Sequence, residues 1–415
     1  MSNHDTDELT RALRERSEDM TGTHLALEDV KGRARGIRRR RRAASGIAVA
    51  AVALAVAVPM GINLDSVDRG QQPPVATRAP SPTTDASGPV TPTPQGPVEI
   101  DAAKARRGED PALLFQTGTT LHRIDGSTVE LPAQYTYLLP YGHGVMGFNG
   151  TEGEFGTTTI VDGRGETVQG PWDGMSGAIS SDGSRLATWL AANGGVDLQL
   201  WREGADLDEG WTSNVVALDG TLDIAGFVGP ETVAYDLTVI GNKGATQKPY
   251  VADWLSGEEP RELKSVIDVR GANDVTGVVS GMSKINDLKG EYCAAVVKVA
   301  TDKVEWETCD YRLERFSPDG RYVLGVDPQS DGLGSNGVTM LDAENGEVVA
   351  EFTVSGRLAY MQTAVWESKS TALVPVRQGD TWYLLRLRPD GSAEKALDPS
   401  HDGGDSSPWQ LQITP

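Results

Sequence analysis

Cysteine is nearly missing from this chain: Cys293 and Cys309 are the two in 415 residues. There is no CxxC pair, so a zinc ribbon or a dithiol redox motif is excluded. Histidine is almost as scarce. His4, His24, His122, His143 and His401 show no metal-ligand spacing such as HxxxH, and each reads as an ordinary surface or strand residue. Gly174-Met175-Ser176-Gly177 is not a nucleophile elbow, because Ala178 stands where its last glycine belongs. Gly241-Asn242-Lys243-Gly244 lacks the spacing of a phosphate-cradling loop. Asp327 to Asp331 offers oxygens but not the full alternating carboxylate pattern of a calcium loop. Carboxylate pairs such as Glu152/Glu154 and Asp206/Asp208 read as solvated turns. No catalytic residue, metal or cofactor is therefore assigned, and a non-catalytic chain is expected.

Long apolar runs are absent, with one exception. Arg38, Arg39, Arg40, Arg41 and Arg42 are followed by 22 residues, 43–64, without a charged side chain. At about 1.5 Å per helical residue, that length matches a hydrocarbon core of about 30 Å. Its eight Ile, Val and Leu residues favour insertion by on the order of 4 kcal/mol. The twelve residues from Ile47 to Val58 show no polar face, which argues against a buried soluble helix. Ala55-Val56-Ala57 has the form of a signal-peptide cleavage site. The 42 residues ahead of the run exceed a usual n-region, so an uncleaved single span is expected. The arginines then hold the N-terminus in the cytoplasm and leave the C-terminus outside.

Charge divides at this span. Residues 1–42 hold 11 basic and 8 acidic groups, a net of +3; residues 65–415 hold 27 and 51, a net of −24. So acidic an exterior argues against nucleic acid and anionic lipid as partners. Residues 5–20 predict a short helix with a narrow stripe of Leu9, Leu13 and Met20. Gln72 to Pro97 carries eight prolines among Ser, Thr and Gly, which predicts a disordered stalk over residues 65–110.

From residue 111 to the end, short β-branched and aromatic runs alternate with Gly, Asp, Asn and Pro turns, predicting an all-β region. Tyr292 to Val299 and Val304 to Cys309 read as a hairpin. With Val299 opposite Lys303, Cys293 falls opposite Cys309, and a disulfide is expected there. It would close a loop of 15 residues, worth about 3 kcal/mol.

The region also repeats. Arg315-Phe316-Ser317-Pro318-Asp319-Gly320-Arg321-Tyr322-Val323-Leu324 reads as strand, turn and returning strand. Ala178-Ile179-Ser180-Ser181-Asp182-Gly183-Ser184-Arg185-Leu186-Ala187 is a second copy, 137 residues earlier, or about three periods of 46. The turn residues are Ser181, Asp182 and Gly183 in one copy, and Ser317, Pro318, Asp319 and Gly320 in the other. Weaker copies begin near Gly226 and Ala364. Four strands per period is propeller arithmetic.

The Phe-Ser-Pro-Asp-Gly-Arg-Tyr-Val-Leu unit resembles the repeat of TolB-type, WD40-like β-propellers. That resemblance implies the fold and, for many such proteins, a protein-binding role; it implies no catalytic residues. The layout of tail, arginines, span, stalk and propeller also resembles membrane-anchored proteins of high-GC Gram-positive bacteria. Seven blades are counted, although six or eight also fit the spacing. The first, near residues 112–132, is one strand short, and Trp409 to Ile413 is expected to supply that strand. Trp189, Trp201, Trp254, Trp306, Trp366 and Trp382 are expected between blades.

Three functions remain open at this point. One is an envelope scaffold binding a protein, peptide or wall polymer. The second is an extracytoplasmic enzyme with a central site, which a convergent carboxylate or histidine cluster would favour. The third is a transmembrane sensor acting through residues 5–20.

Overall fold

The structure, a computed structural model, describes residues 96–414 except 151–155, 175, 193–194, 203–210, 216–219, 242–243, 254–257, 287–289 and 331–332. The cytoplasmic helix, Arg38 to Arg42, the span at 43–64 and the stalk up to residue 95 lie outside the described residues. Among the described residues no helix is long and apolar enough to cross a membrane.

The strands form seven separate sheets. Blade 2 holds Tyr137–Tyr141, Gly144–Asn149, Thr157–Val161 and Thr167–Asp173; blade 3 holds Gly177–Ile179, Arg185–Ala192, Gly195–Arg202 and Trp211–Val215. Blade 4 is Gly220–Gly229, Thr232–Gly241, Gly244–Asp253 and Arg261–Glu262; blade 5 is Gly271–Asn273, Val278–Asn286, Glu291–Lys298 and Lys303–Thr308. Blade 6 begins with Arg312–Phe316, Tyr322–Val326, Gly337–Asp342 and Val348–Val354. Blade 7 builds Ala359–Met361, Val365–Trp366, Thr381–Leu387 and Ala393–Lys395 around Ala372–Gln378. The first strands of blades 1 to 6 touch in series, which places them around a common axis.

Blade 1 closes the ring as expected. Phe115–Thr117, Thr120–His122 and Thr128–Glu130 come from one end of the fold, and Trp409–Leu411 pairs with Phe115–Thr117 as the innermost strand. Ile413 N–H then bonds Leu138 O of blade 2 at 2.8 Å.

Side-chain alternation explains why the strands are apolar on both faces. In Ala372–Gln378, Ala372, Val374 and Val376 fill the junction of blades 6 and 7, while Leu373 fills that of blades 7 and 1. Each of the seven junctions has its own apolar cluster. Trp189, Trp366 and Trp382 are buried in such clusters, as expected, and Trp306 is half-buried at the rim. The side chains of Trp201 and Trp254 lie outside the described residues.

One boundary needs correction. The stalk was expected to run to residue 110, but Val98–Ile100 adds in parallel to Val348–Val354, the outer strand of blade 6. Arg106–Arg107 adds likewise to Ala393–Lys395 of blade 7. Two- and three-residue strands docked on a preformed edge need no apolar pattern of their own, so composition hides them.

Candidate functional site

The Asp-Gly turns join the first and second strands of their blades. Asp319 accepts from the Ser317 hydroxyl at 2.8 Å and the Arg321 amide at 3.2 Å, while Ser317 Oγ accepts from Tyr322 N–H at 3.0 Å. Gly320 takes φ +72°, and a Cβ there would lie 2.6 Å from Asn273 Oδ1 of blade 5. The earlier copy repeats this network with Ser180, not Ser181, as its hydroxyl: Ser180 Oγ reaches Asp182 at 2.6 Å and accepts from Arg185 N–H at 3.0 Å. Ser180 is thus the turn residue missing from the sequence assignment. Those hydroxyls, with Ser184, hold the Asp182 carboxyl down at about 2. Ser181 and Pro318 occupy the turn corners, and Ser181 N–H approaches Asp274 of blade 5 at 3.3 Å. These turns are structural.

Cys293 and Cys309 are bonded, with Cα atoms 4.0 Å apart. Ala294 faces Thr308, which sets the expected Cys pairing, but a bulge at Val296/Val297 brings Lys298, not Val299, opposite Lys303. The bond pins the outer strand of blade 5 to its neighbour.

A charged cluster sits where blades 4 and 5 meet the axis. Asp223 of the first strand of blade 4 stands opposite Asp236 of the second, so both side chains leave the same face. Asp268 and Arg270 come from the connection that enters blade 5. Asp236 is 2% exposed and accepts Val269 N–H at 3.1 Å and Gln247 Nε2 at 2.7 Å. Burial outweighs those bonds and pushes its carboxyl up to about 7. Asp268 accepts Met282 N–H at 2.6 Å and pairs with Arg270 at 2.8 Å. Arg270 Nε is buried without a hydrogen-bond partner among the described residues.

Asp223 differs from these two. It is exposed, while Leu222 and Ile224 beside it are buried in the junction with blade 3. Even so, surrounding protein raises its carboxyl, against the opposing fields of Arg315 and Arg270. Arg315 comes from the innermost strand of blade 6. Asp223 of blade 4, Glu314 beside it and Tyr137 of blade 2 all lie within its electrostatic reach. Among the described residues no group of three or more His, Cys, Asp or Glu is arranged to hold a metal ion.

A second polar site lies at the outer edge of blade 7. A groove of about 640 Å³ is lined by Arg107, Asp110, Glu367, Arg386, Arg388 and Glu394, among others. Arg386 grips Glu367 in two bonds of 2.5 and 2.7 Å, reaches Glu394 at 2.8 Å and donates to the carbonyls of Glu109 and Asp110. Glu367 also accepts Ala112 N–H at 2.8 Å. These charges satisfy one another and hold the incoming chain.

Among the described residues, His122, His143 and His401 take no part in either cluster. His122 stacks on Phe115 at 4.4 Å, where burial lowers its pKa, and His401 touches Thr381. Asp327 caps its own turn through Gln329 N–H, and Asp331 lies outside the described residues. Sequence reading missed Asp223, Asp236, Asp268, Arg270 and Arg315. A lone acid inside the apolar run Val233-Ala234-Tyr235-Asp236-Leu237 was the available signal.

No family model and no curated protein matches this chain. Among solved structures it is similar to TolB from Acinetobacter baumannii, at 16% identity over 70% of this chain and 78% of that one, with a TM-score of 0.39. It is also similar to the Myceliophteria thermophila Cps50 (Swd1) β-propeller domain, at 11% identity over 72% and 90%, with a TM-score of 0.41. Cobalt-substituted Synechocystis ACO is similar at 9% identity over 62% and 71%, with a TM-score of 0.43. The strand pairing of this chain itself makes it a seven-bladed β-propeller.

Proposed function

We propose that the chain is a membrane-anchored, extracytoplasmic propeller that acts as a non-catalytic scaffold for a protein, peptide or wall polymer. One observation carries the binding part. Apolar side chains fill every blade junction, yet Tyr137, Ile267, Ile285, Leu333 and Leu358 stay exposed. All five lie at the end of the ring that holds the blade connections and the hairpins between second and third strands, while Ile124, Val168, Val275 and Val304 are exposed at the opposite end. Large exposed apolar groups at one end suit a partner surface. The Cys293–Cys309 bond supports an oxidising compartment, and the arginine run with its uncharged stretch supports the anchor.

The test is capture from envelope extracts with the detergent-solubilised chain and a variant carrying Tyr137→Ser, Leu333→Ser and Leu358→Ser. The expected result is a partner held by the former and lost by the latter. Equal capture by both would refute the assignment of this face.

A second reading has an observation of its own. Asp223, Asp236 and Asp268 gather beside the junction of blades 4 and 5, and a convergent carboxylate cluster is the feature that favours an enzyme with a central site. Asp236 and Asp268 are buried and hydrogen-bonded, so Asp223 is the accessible acid. Turnover of an envelope substrate that Asp223→Asn abolishes would establish this reading in place of the scaffold.

A further inference from the structure

Blade 7 carries an arginine between aromatic rings where it meets blade 1. Tyr360 pairs with Arg377, Arg377 with Trp382, and Trp382 with Ser400, so the four stand in one row across the sheet. Residues directly opposite one another share a face, which gathers the first three side chains. The Arg377 guanidinium carbon lies 6.0 Å from the centre of the Tyr360 ring and 5.9 Å from that of Trp382. The two rings meet edge to face at 5.6 Å. At that range the ring faces attract the cation, and its side chain is only 11% exposed.

The connection from blade 7 to the closing strand lies on this row. Trp382 Nε1–H donates to Gly404 O at 3.1 Å, and the Tyr360 hydroxyl donates to Asp405 O at 2.7 Å. Gln362 Nε2 adds a third bond, to Asp405 O at 3.3 Å, and Arg377 takes the Asp405 carboxylate. Side chains of one blade thus receive two successive main-chain carbonyls and one carboxylate. Peptide recognition uses the same parts: backbone groups set the alignment and one charge sets the identity. The loop is only lightly held elsewhere. Residues 401–406 are all exposed, and Gly403 and Gly404 take φ +107° and +58°. Its two ends are fixed independently. Ser400 exchanges main-chain bonds with Trp382 at 2.7 and 3.0 Å, and Ser407, 6% exposed, bonds Trp409 through its hydroxyl at 3.0 Å. The loop can therefore lift while the closing strand stays paired.

We propose that Tyr360, Gln362, Arg377 and Trp382 form a recognition site for an acidic peptide, an aspartate preceded by glycine, and that residues 403–405 occupy it as a built-in competitor. The seated loop defines the chemistry of the ligand. A carboxylate answers the guanidinium, and glycine ahead of it allows the left-handed turn that aims two carbonyls at the same blade. The net charge of −24 on residues 65–415 repels such a peptide at a distance, but that repulsion is screened by salt, and the grip of Arg377 acts at contact. The site names a ligand class for the scaffold yet uses none of the five exposed apolar groups, so capture by that face and binding here fail separately.

The test is isothermal titration of the full chain in detergent with acetyl-Gly-Gly-Asp-Ser-amide and its Asn counterpart, each up to about 10 mM, a range that reaches millimolar affinity. Asp405→Ala unloads the site without altering the residues that form it, and the Asp405 side chain is 79% exposed. The acidic peptide should bind this variant at least about tenfold more tightly than it binds the wild type, whose own loop competes at an effective concentration of about millimolar or above. In the Asp405→Ala background the Asn peptide should bind at least about tenfold more weakly than the acidic one. Adding Arg377→Gln should weaken the acidic peptide by about tenfold or more. Thermal unfolding serves as the fold control. If the glutamine variant unfolds, Arg377→Lys takes its place and should also weaken binding, because lysine lacks both the fork and the flat face. The proposal is overturned if the acidic peptide fails to bind the Asp405→Ala variant, or binds it no more tightly than the wild type. It is overturned equally if the Asn peptide binds as tightly, or if the Arg377 substitution leaves the affinity unchanged.

Discussion

Replacing Trp409 by alanine isolates the side chain that seals the ring from the strand that closes it. Trp409 is 6% exposed and packs with Leu113, Phe115, Val365, Leu373, Trp382 and Leu384 where blades 7 and 1 meet. Truncating a buried tryptophan costs about 3–5 kcal/mol, from the lost transfer of the indole and the cavity left behind. The ladder from Phe115–Thr117 to Trp409–Leu411 does not depend on the side chain, so the strand can stay paired. Val304→Ala is the control: Val304 is exposed on an outer strand, and its truncation should change stability by under about 0.5 kcal/mol. Thermal unfolding followed by circular dichroism would then put the Trp409 variant several degrees below both the wild type and the control. A chain ending at Pro408 should do worse. It leaves Phe115–Thr117 as a bare inner edge, and aggregation is the expected readout. If the Trp409 variant melts with the Val304 variant, the C-terminal strand does not seal the ring and the account of closure is wrong.

Other outcomes follow from the same structure. Because the carboxyl of Asp236 titrates near 7 when folded and near 3.8 when unfolded, the folded chain alone keeps that proton between those values. Its contribution is complete below about pH 4 and is lost as pH rises to 7, by at most about 4 kcal/mol; Asp236→Asn should remove that slope from a stability–pH profile. Arg386→Met leaves Glu367 buried and unpaired and should cost about 3–5 kcal/mol in unfolding experiments, whereas Arg386→Met with Glu367→Leu should recover much of it. Gly108→Ala would place a Cβ 2.4 Å from the Glu394 carboxyl carbon. Limited proteolysis should then cut near residues 98–107 before the ring is attacked. Losing the Cys293–Cys309 bond through Cys293→Ser and Cys309→Ser should cost about 3 kcal/mol, read as a lower unfolding midpoint.

The ring was legible because each blade is nearly autonomous. Apolar faces on both sides of every sheet recur whatever the neighbours do, and blades 3 and 6 repeat an Asp-Gly turn after the first strand. The disulfide was legible for the same local reason, since a hairpin register places Cys293 against Cys309. Closure by Trp409 followed from counting strands in the first blade. Val98–Ile100 and Arg106–Arg107 were not legible, because their pairing is decided by the edges of blades 6 and 7. The acids beside the junction of blades 4 and 5 were hidden by distance in sequence: Asp223 and Asp236 meet only through the pairing of two strands, and Asp236 reaches the Val269 amide only once the next blade is in place. Ser180 was missed because its neighbour Ser181 fits a turn equally well by composition, and only the hydrogen bonds of Asp182 distinguish them.

The central claim, a disulfide-bonded propeller displayed on the far side of a membrane, can be tested on Cys293 and Cys309 in intact cells. A membrane-impermeant thiol mass tag would be applied before and after an impermeant reductant. The account predicts no tag at first and two tags after external reduction. Two tags that appear only after lysis, with no reductant needed, would contradict it.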